Sequence, residues 1–140
     1  MPGSGWATDR LPPELARTPE PPYYAVIFSS ILRIDDPAYH WMSERMAELV
    51  DRQPGFLGWE SARSPEGLGI TVSYWASLEA VAHWKEQHEH RIAQRRGQEV
   101  WYARYTIRIA HVERAVVFSA GSESGSVDWP AIRQDPPGGR

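Results

Sequence analysis

The sequence predicts an α+β fold with the split β-α-β-β-α-β order of a ferredoxin-like domain: an antiparallel sheet with helices on one face. Three observations predict it. Apolar or alternating runs of strand length begin at Tyr23, Phe56, Leu68 and Trp101. Stretches with helical spacing lie between the first and second runs and between the third and fourth. The breaks between elements hold cap and turn residues.

In order, Tyr23–Leu32 is apolar on both alternating faces, so this strand should be covered on both sides. Asp36-Pro37 offers an N-cap followed by proline at the first helical position. The helix it opens aligns Met42, Met46, Leu49 and Val50 on one stripe and stops at Pro54-Gly55. Phe56–Ser64 is the second strand, Ser64-Pro65-Glu66-Gly67 a turn, and Leu68–Trp75 the third strand. Ser77 caps a second helix expected to run to Gly97, with Val81, Trp84, His88 and Ile92 along one side. In the last strand the odd positions Trp101, Ala103, Tyr105, Ile107 and Ile109 are mostly apolar and should meet the core. The set Ile70, Val72 and Tyr74 makes the second face of the sheet partly apolar as well. A sheet this small covers such a face by pairing with a copy of itself, so a symmetric homodimer is expected.

At 140 residues the chain suits one domain, at 23–118. Residues 1–22 hold half of the twelve prolines, and 119–140 are rich in Gly, Ser and Pro. Both read as flexible arms, with Trp6 and Trp129 as isolated apolar residues able to clip an arm to the body or to a partner. A net charge of −3 gives no pull toward nucleic acid or an acidic membrane. The absence of cysteine excludes disulfides, thiol nucleophiles and Cys-based metal sites. No stretch resembles a signal peptide or a membrane span, so a cytoplasmic location is expected.

The residues able to do chemistry concentrate around the second helix. Trp75, Trp84 and Trp101, with His83, His88, His90 and His111, fall between Ile70 and Arg114. Indoles grouped in this way either pack a core or line a pocket for a flat ligand. On one continuous helix His88 shares the inward stripe, while His83 and His90 share the solvated side. His88 is therefore the acid–base candidate. Its neighbours His88-Glu89-His90 lack the spacing that converges two imidazoles on one ion, so no metal site is expected. Tyr74, Tyr102 and Tyr105 either hydrogen-bond a phenolic ligand or serve as amphipathic cover. Ser29 and Ser30 interrupt the first strand and face either backbone or ligand. Arg104 and Arg108 are placed to pair across strands with Glu60 or Glu113.

Four segments carry a family resemblance: Q-P-G-F-L-G-W-E-S at 53–61, V-S-Y-W-A-S-L-E-A at 72–80, W-K-E-Q-H-E-H at 84–90 and W-Y-A-R-Y-T-I-R-I-A-H-V-E-R at 101–114. In these the chain resembles the antibiotic biosynthesis monooxygenase family, whose members form a dimeric α+β barrel. The resemblance implies oxygenation without flavin or metal, with molecular oxygen as co-substrate. A flat phenolic or quinol-like molecule loses a proton in a water-poor pocket, and the resulting anion passes an electron to oxygen. Trp75 matches the family's tryptophan at the end of the third strand, and Arg95 stands where its polyketide oxygenases have a helical arginine. Their asparagine, tyrosine and histidine positions hold Thr71, Val81 and Ala62. Against the haem-degrading branch, Trp84 matches the tryptophan, while the asparagine and iron-ligand positions hold Ser29 and Gln94.

Two readings follow. In the first, a cofactor-independent monooxygenase uses His88 as base, Trp75 and Trp84 as stacking walls, Ser29, Tyr102 and Tyr74 as polar anchors, and Arg95 in the substrate site. In the second, the barrel binds haem or an aromatic metabolite without turnover, or serves a non-oxidative biosynthetic step.

Overall fold

A computed structural model describes residues 15–34 and 36–120, apart from the side chains of 88, 89, 93, 97 and 99. The elements follow the expected order: β1 (Tyr23–Leu32), α1 (Pro37–Val50), β2 (Phe56–Arg63), β3 (Leu68–Trp75), α2 (Leu78–Glu86), α3 (His88–Arg96), a π-helical turn (Gly97–Trp101) and β4 (Tyr102–Val112). The four strands form one sheet of order β2-β3-β1-β4 with every neighbouring pair antiparallel. This is the ferredoxin-like α+β arrangement.

Local chemistry sets the boundaries. The Asp36 carboxylate accepts from the Ala38 amide at 2.9 Å, and Pro37 occupies the first helical position of α1. The Ser77 hydroxyl accepts from the Ala80 amide at 3.1 Å and starts α2. Gly67, at φ +105°, closes the turn between β2 and β3, its amide donating to the Ser64 carbonyl at 3.0 Å. The expected single second helix is corrected. It breaks at Gln87, whose ψ of 136° is extended, and resumes as α3. Residue spacing carried across such a break no longer reports a shared side.

Residues directly opposite one another in antiparallel strands point to the same side of a sheet. The register therefore sorts the sheet into two faces. One carries Tyr24, Val26, Phe28 and Ser30 of β1, Gly69, Thr71, Ser73 and Trp75 of β3, and Trp59, Ser61 and Arg63 of β2. Trp84 of α2 and Tyr39 of α1 pack here, so this is the helix-facing side. The other face carries Tyr23, Ala25, Ile27, Ser29 and Ile31 with Leu68, Ile70, Val72 and Tyr74.

The core is small and aromatic. Trp75 is fully buried, Trp101 and Ser30 are nearly so, and Tyr23, Ala25 and Val50 complete it. On the far face Ala25 and Tyr23 are covered near one end, where residues 15–22 cross. There the Ala16 amide donates to Glu60 Oε2 at 2.9 Å, and the Thr18 and Tyr23 hydroxyls share a 2.9 Å bond. The described end of the expected N-terminal arm is thus tied to the sheet. Trp6, Trp129 and the rest of both arms lie outside the described residues. Ile31, Leu68 and Ile70 remain exposed on this face.

The expected apolar face of β4 is corrected in part. The ladder with β1 shifts register between Ile31 and Leu32, which leaves Ala103 as an extra, exposed residue. Tyr102 and Tyr105 consequently both contact Phe28 on the helix-facing side. Ile107 and Ile109 share that side but are exposed on the edge strand. No described helix is long and apolar enough to cross a membrane.

Candidate functional site

The helix-facing side carries two aromatic clusters, one at each end. From Trp75 to Gly69 along β3 they are about 20 Å apart, at roughly 3.3 Å per residue. Between them lie the hydroxyls of Ser73, Thr71 and Ser61, the last two sharing a 2.7 Å bond.

Trp75 anchors the first cluster at the end of β3. Its indole Nε1 donates to Ser73 Oγ at 2.9 Å, which removes the cost of a buried unpaired donor. Phe56 meets it edge-on at 5.2 Å, and Trp84 lies over it at 6.3 Å between centroids with 28° between the planes. Gly55, at φ +81°, allows α2 to approach. A Cβ there would stand 2.7 Å from that of Ala80, and its carbonyl accepts from the Ala76 amide at 2.8 Å.

The helix break brings in a histidine that periodicity put on the wrong side. His90 was expected to be solvated. Instead its ring stacks on Trp84 at 4.5 Å and 16°, and Nδ1 lies 2.9 Å from the Trp84 carbonyl oxygen. Where α2 ends, the Trp84 carbonyl accepts from the Gln87 amide at 3.1 Å, and His90 Nδ1 is its second partner. A carbonyl only accepts, so Nδ1 must carry the proton, which leaves Nε2 with its lone pair in the neutral ring. Burial holds the His90 pKa below its ordinary value of 6.5, against a smaller upward pull from the Trp84 carbonyl. The imidazole is therefore neutral near pH 7, with the tautomer of a base. His88 opens α3, but its side chain lies outside the described set.

At the other end Phe28, Tyr39, Trp101, Tyr102 and Tyr105 make a run of edge-to-face and tilted contacts between 5.3 and 5.9 Å. Trp101 Nε1 donates to Asp36 Oδ2 at 3.3 Å, which ties the start of α1 to this cluster. Burial, then the neighbouring Tyr39 hydroxyl, push the Tyr102 phenol well above its ordinary value, so it stays a neutral donor. Arg63 reaches across β3 into this group. Its Nη2 donates to Ser30 Oγ at 2.8 Å and to the Tyr39 hydroxyl at 3.1 Å, and Nη1 donates to the Gly67 carbonyl. Gly69, its cross-strand neighbour, makes the reach possible, because a Cβ there would collide with the guanidinium.

The sequence-derived site therefore divides. Trp75 and Trp84 pack against each other. Tyr102 faces the same side but belongs to the far cluster. Ser29 and Tyr74 are corrected: the register turns both to the opposite face, so neither can border the indoles. Tyr74 donates to Glu60 Oε1 at 2.8 Å, and burial followed by that carboxylate pushes its pKa up to about 12. Arg95 is exposed in the last turn of α3. Sequence reasoning leaves Ser30 between backbone and ligand, puts His90 on the solvated side, and does not single out Tyr39 or Arg63. For Arg63 the signal was a glycine directly opposite an arginine in a hairpin. Among the described residues no cluster of three or more His, Cys, Asp or Glu is placed to hold a metal ion. Haem in the degrading arrangement does not fit. Ser29 stands across the sheet from Trp84, and Gln94 of α3 offers no imidazole.

A four-stranded antiparallel sheet with aromatic clusters on its helix-facing side defines a ferredoxin-like α+β protein. The family model for antibiotic biosynthesis monooxygenases matches residues 41–96. The Bacillus subtilis (strain 168) protein YqjZ, itself uncharacterized, is 52% identical over 104 residues, spanning 74% of this chain and 91% of that protein. The chain belongs to the antibiotic biosynthesis monooxygenase family. Solved structures share the fold at low identity. Rv0793 from Mycobacterium tuberculosis superposes with a TM-score of 0.56 at 15% identity, covering 70% of this chain and 98% of that one. SnoaB from Streptomyces nogalater, a cofactor-independent oxygenase solved as a mutant, gives 0.55 at 12% identity, covering 74% and 98%.

Proposed function

We propose that this protein is a monooxygenase acting on a planar, electron-rich phenolic or quinol-like molecule without flavin or metal. The observation that carries the reading is the Trp75–Trp84–His90 stack, which sets a neutral imidazole beside two indoles. Trp84, packed against both Trp75 and His90, keeps the surroundings of that imidazole poor in water. His90 takes a proton from the substrate at Nε2, while Nδ1 stays hydrogen-bonded to the Trp84 carbonyl. The substrate anion gives one electron to O₂, and the substrate radical and superoxide combine to form a C–O bond. The imidazolium returns its proton to the peroxide, and cleavage of the O–O bond with loss of the remaining hydrogen on that carbon releases water and leaves the carbonyl product. The substrate thus supplies the electrons, and the protein binds, deprotonates and excludes water. The cofactor-independent oxygenase SnoaB, which shares the fold, supports this reading.

Oxygen uptake by metal-stripped protein with a panel of anthrones and hydroquinones tests it. His90→Phe keeps a ring against Trp84 and removes the nitrogens, and should lower the rate by about 10²-fold or more. His88→Ala is measured beside it to separate the two imidazoles. Uptake with none of the panel, or full activity in both variants, sinks the proposal. Binding without uptake would favour sequestration of an aromatic metabolite.

We also propose a symmetric homodimer, formed through the far face of the sheet, where Ile31, Leu68 and Ile70 stand exposed. Sedimentation should show a dimer that Ile70→Glu dissociates. A monomeric parent chain would overturn this.

A further inference from the structure

We propose that Arg63, Ser30 and Tyr39 form a receptor for the carboxylate of an aromatic acid, at the end of the helix-facing side away from the Trp75–Trp84 stack. The inference goes beyond the oxygenase reading and stands whether or not oxygen is consumed.

The charge of Arg63 is the starting point. Among the described residues its guanidinium meets a carbonyl, two hydroxyls and the face of the Tyr39 ring at 5.7 Å, all neutral, and no carboxylate. A half-buried cation with only neutral partners is incompletely compensated, and an anion brought to it recovers what desolvation costs. A guanidinium has five N–H donors, and the three bonds described leave two of them for a ligand. The hydroxyls point the same way. Both oxygens accept from Nη2, so their own protons are directed elsewhere. For Ser30, which is 2% exposed, no acceptor exists among the described residues. A hydroxyl that accepts from a cation is a better donor to an anion.

The surroundings specify an aromatic acid. Phe28, Tyr102 and Tyr105 gather at the same end of the helix-facing side as Tyr39, packed ring against ring. Such rings suit a flat hydrocarbon carried by the carboxylate. The position is also built into the backbone. Gly69 leaves the space over β3 that the guanidinium occupies, and any larger residue would displace it.

Calorimetric titration of the full chain with 2-naphthoate and with methyl 2-naphthoate tests the proposal. The ring is the same and only the charge differs. The acid should bind at least tenfold more tightly than the ester, and its affinity should fall as salt is raised. Arg63→Met should abolish the difference, and Arg63→Lys should retain part of it. Tyr39→Phe and Ser30→Ala should each narrow it several-fold, and they decide the matter if Arg63→Met does not fold. Equal affinity for acid and ester overturns the receptor, as does binding of neither. An undiminished preference for the acid in the folded variants overturns it too. Failure of oxygen uptake alone leaves these results unaffected, so the two proposals fail separately.

Discussion

Replacing Gly69 with alanine should expose how tightly Arg63 is seated. Gly69 is a strand residue with an ordinary extended backbone, where alanine normally gains about 0.5–1 kcal/mol over glycine. Here the new Cβ would stand 2.6 Å from Arg63 Nη2 and 2.7 Å from Nη1, well inside contact distance. The guanidinium must leave, and with it go the bonds to Ser30, Tyr39 and the Gly67 carbonyl. Stranding the buried Ser30 hydroxyl costs about 1–3 kcal/mol. The bonds at the partly exposed guanidinium add about 1 kcal/mol after allowance for solvent screening. Net of the backbone gain, Gly69→Ala should destabilise by about 1–3 kcal/mol. In an Arg63→Ala background the clash is gone, and the same change should be neutral or stabilising. The four proteins form a double-mutant cycle with a coupling of about 2–4 kcal/mol, since the backbone gain is common to both backgrounds. Urea unfolding at one fixed protein concentration, followed by indole fluorescence, measures it. An equal cost of Gly69→Ala in both backgrounds would refute the reasoning.

Other outcomes follow from the same geometry. Burial lowers the His90 pKa, so between its folded value and 6.5 the unfolded chain binds more protons. That contribution to stability is complete above pH 6.5 and is lost as pH falls below it, by at most about 1.4 kcal/mol per pH unit. His90→Phe should flatten the profile of unfolding free energy there, and an unchanged slope would count against a buried neutral imidazole. Trp75→Ala empties the most buried aromatic site and should cost about 3–5 kcal/mol, read as a large drop in Tm. Ser77→Ala removes the cap of α2 and should cost about 1 kcal/mol, detected as a shifted urea midpoint at constant slope.

The strands and first helix were legible because period-two runs and the Asp36-Pro37 and Ser77 caps are local signals, and the backbone obeys them. The candidate site was only half legible. Trp75 and Trp84 come together because one ends a strand and the other lies in the helix that follows it. His90 was misplaced because no glycine or proline marks Gln87, and a helix interrupted without such a mark rotates every later side chain. Tyr74 joins the indoles in the sequence reading because it precedes Trp75, and Ser29 because it is a hydroxyl in an apolar strand at the family's asparagine position. The register turns both to the opposite face. Arg63 escaped notice because its partners come from three separate elements, and its enabling signal is the missing side chain of Gly69.

The extra residue in β4 has a consequence for relatives of unequal length. Ala103 works as a phase shifter, since it lets Tyr102 and Tyr105 look the same way although they are three positions apart. A homologue lacking that residue would hold the two tyrosines two positions apart, and a regular ladder would keep both on the helix-facing side. The bulge thus absorbs a one-residue difference in length and leaves the aromatic cluster at this end of the sheet unchanged.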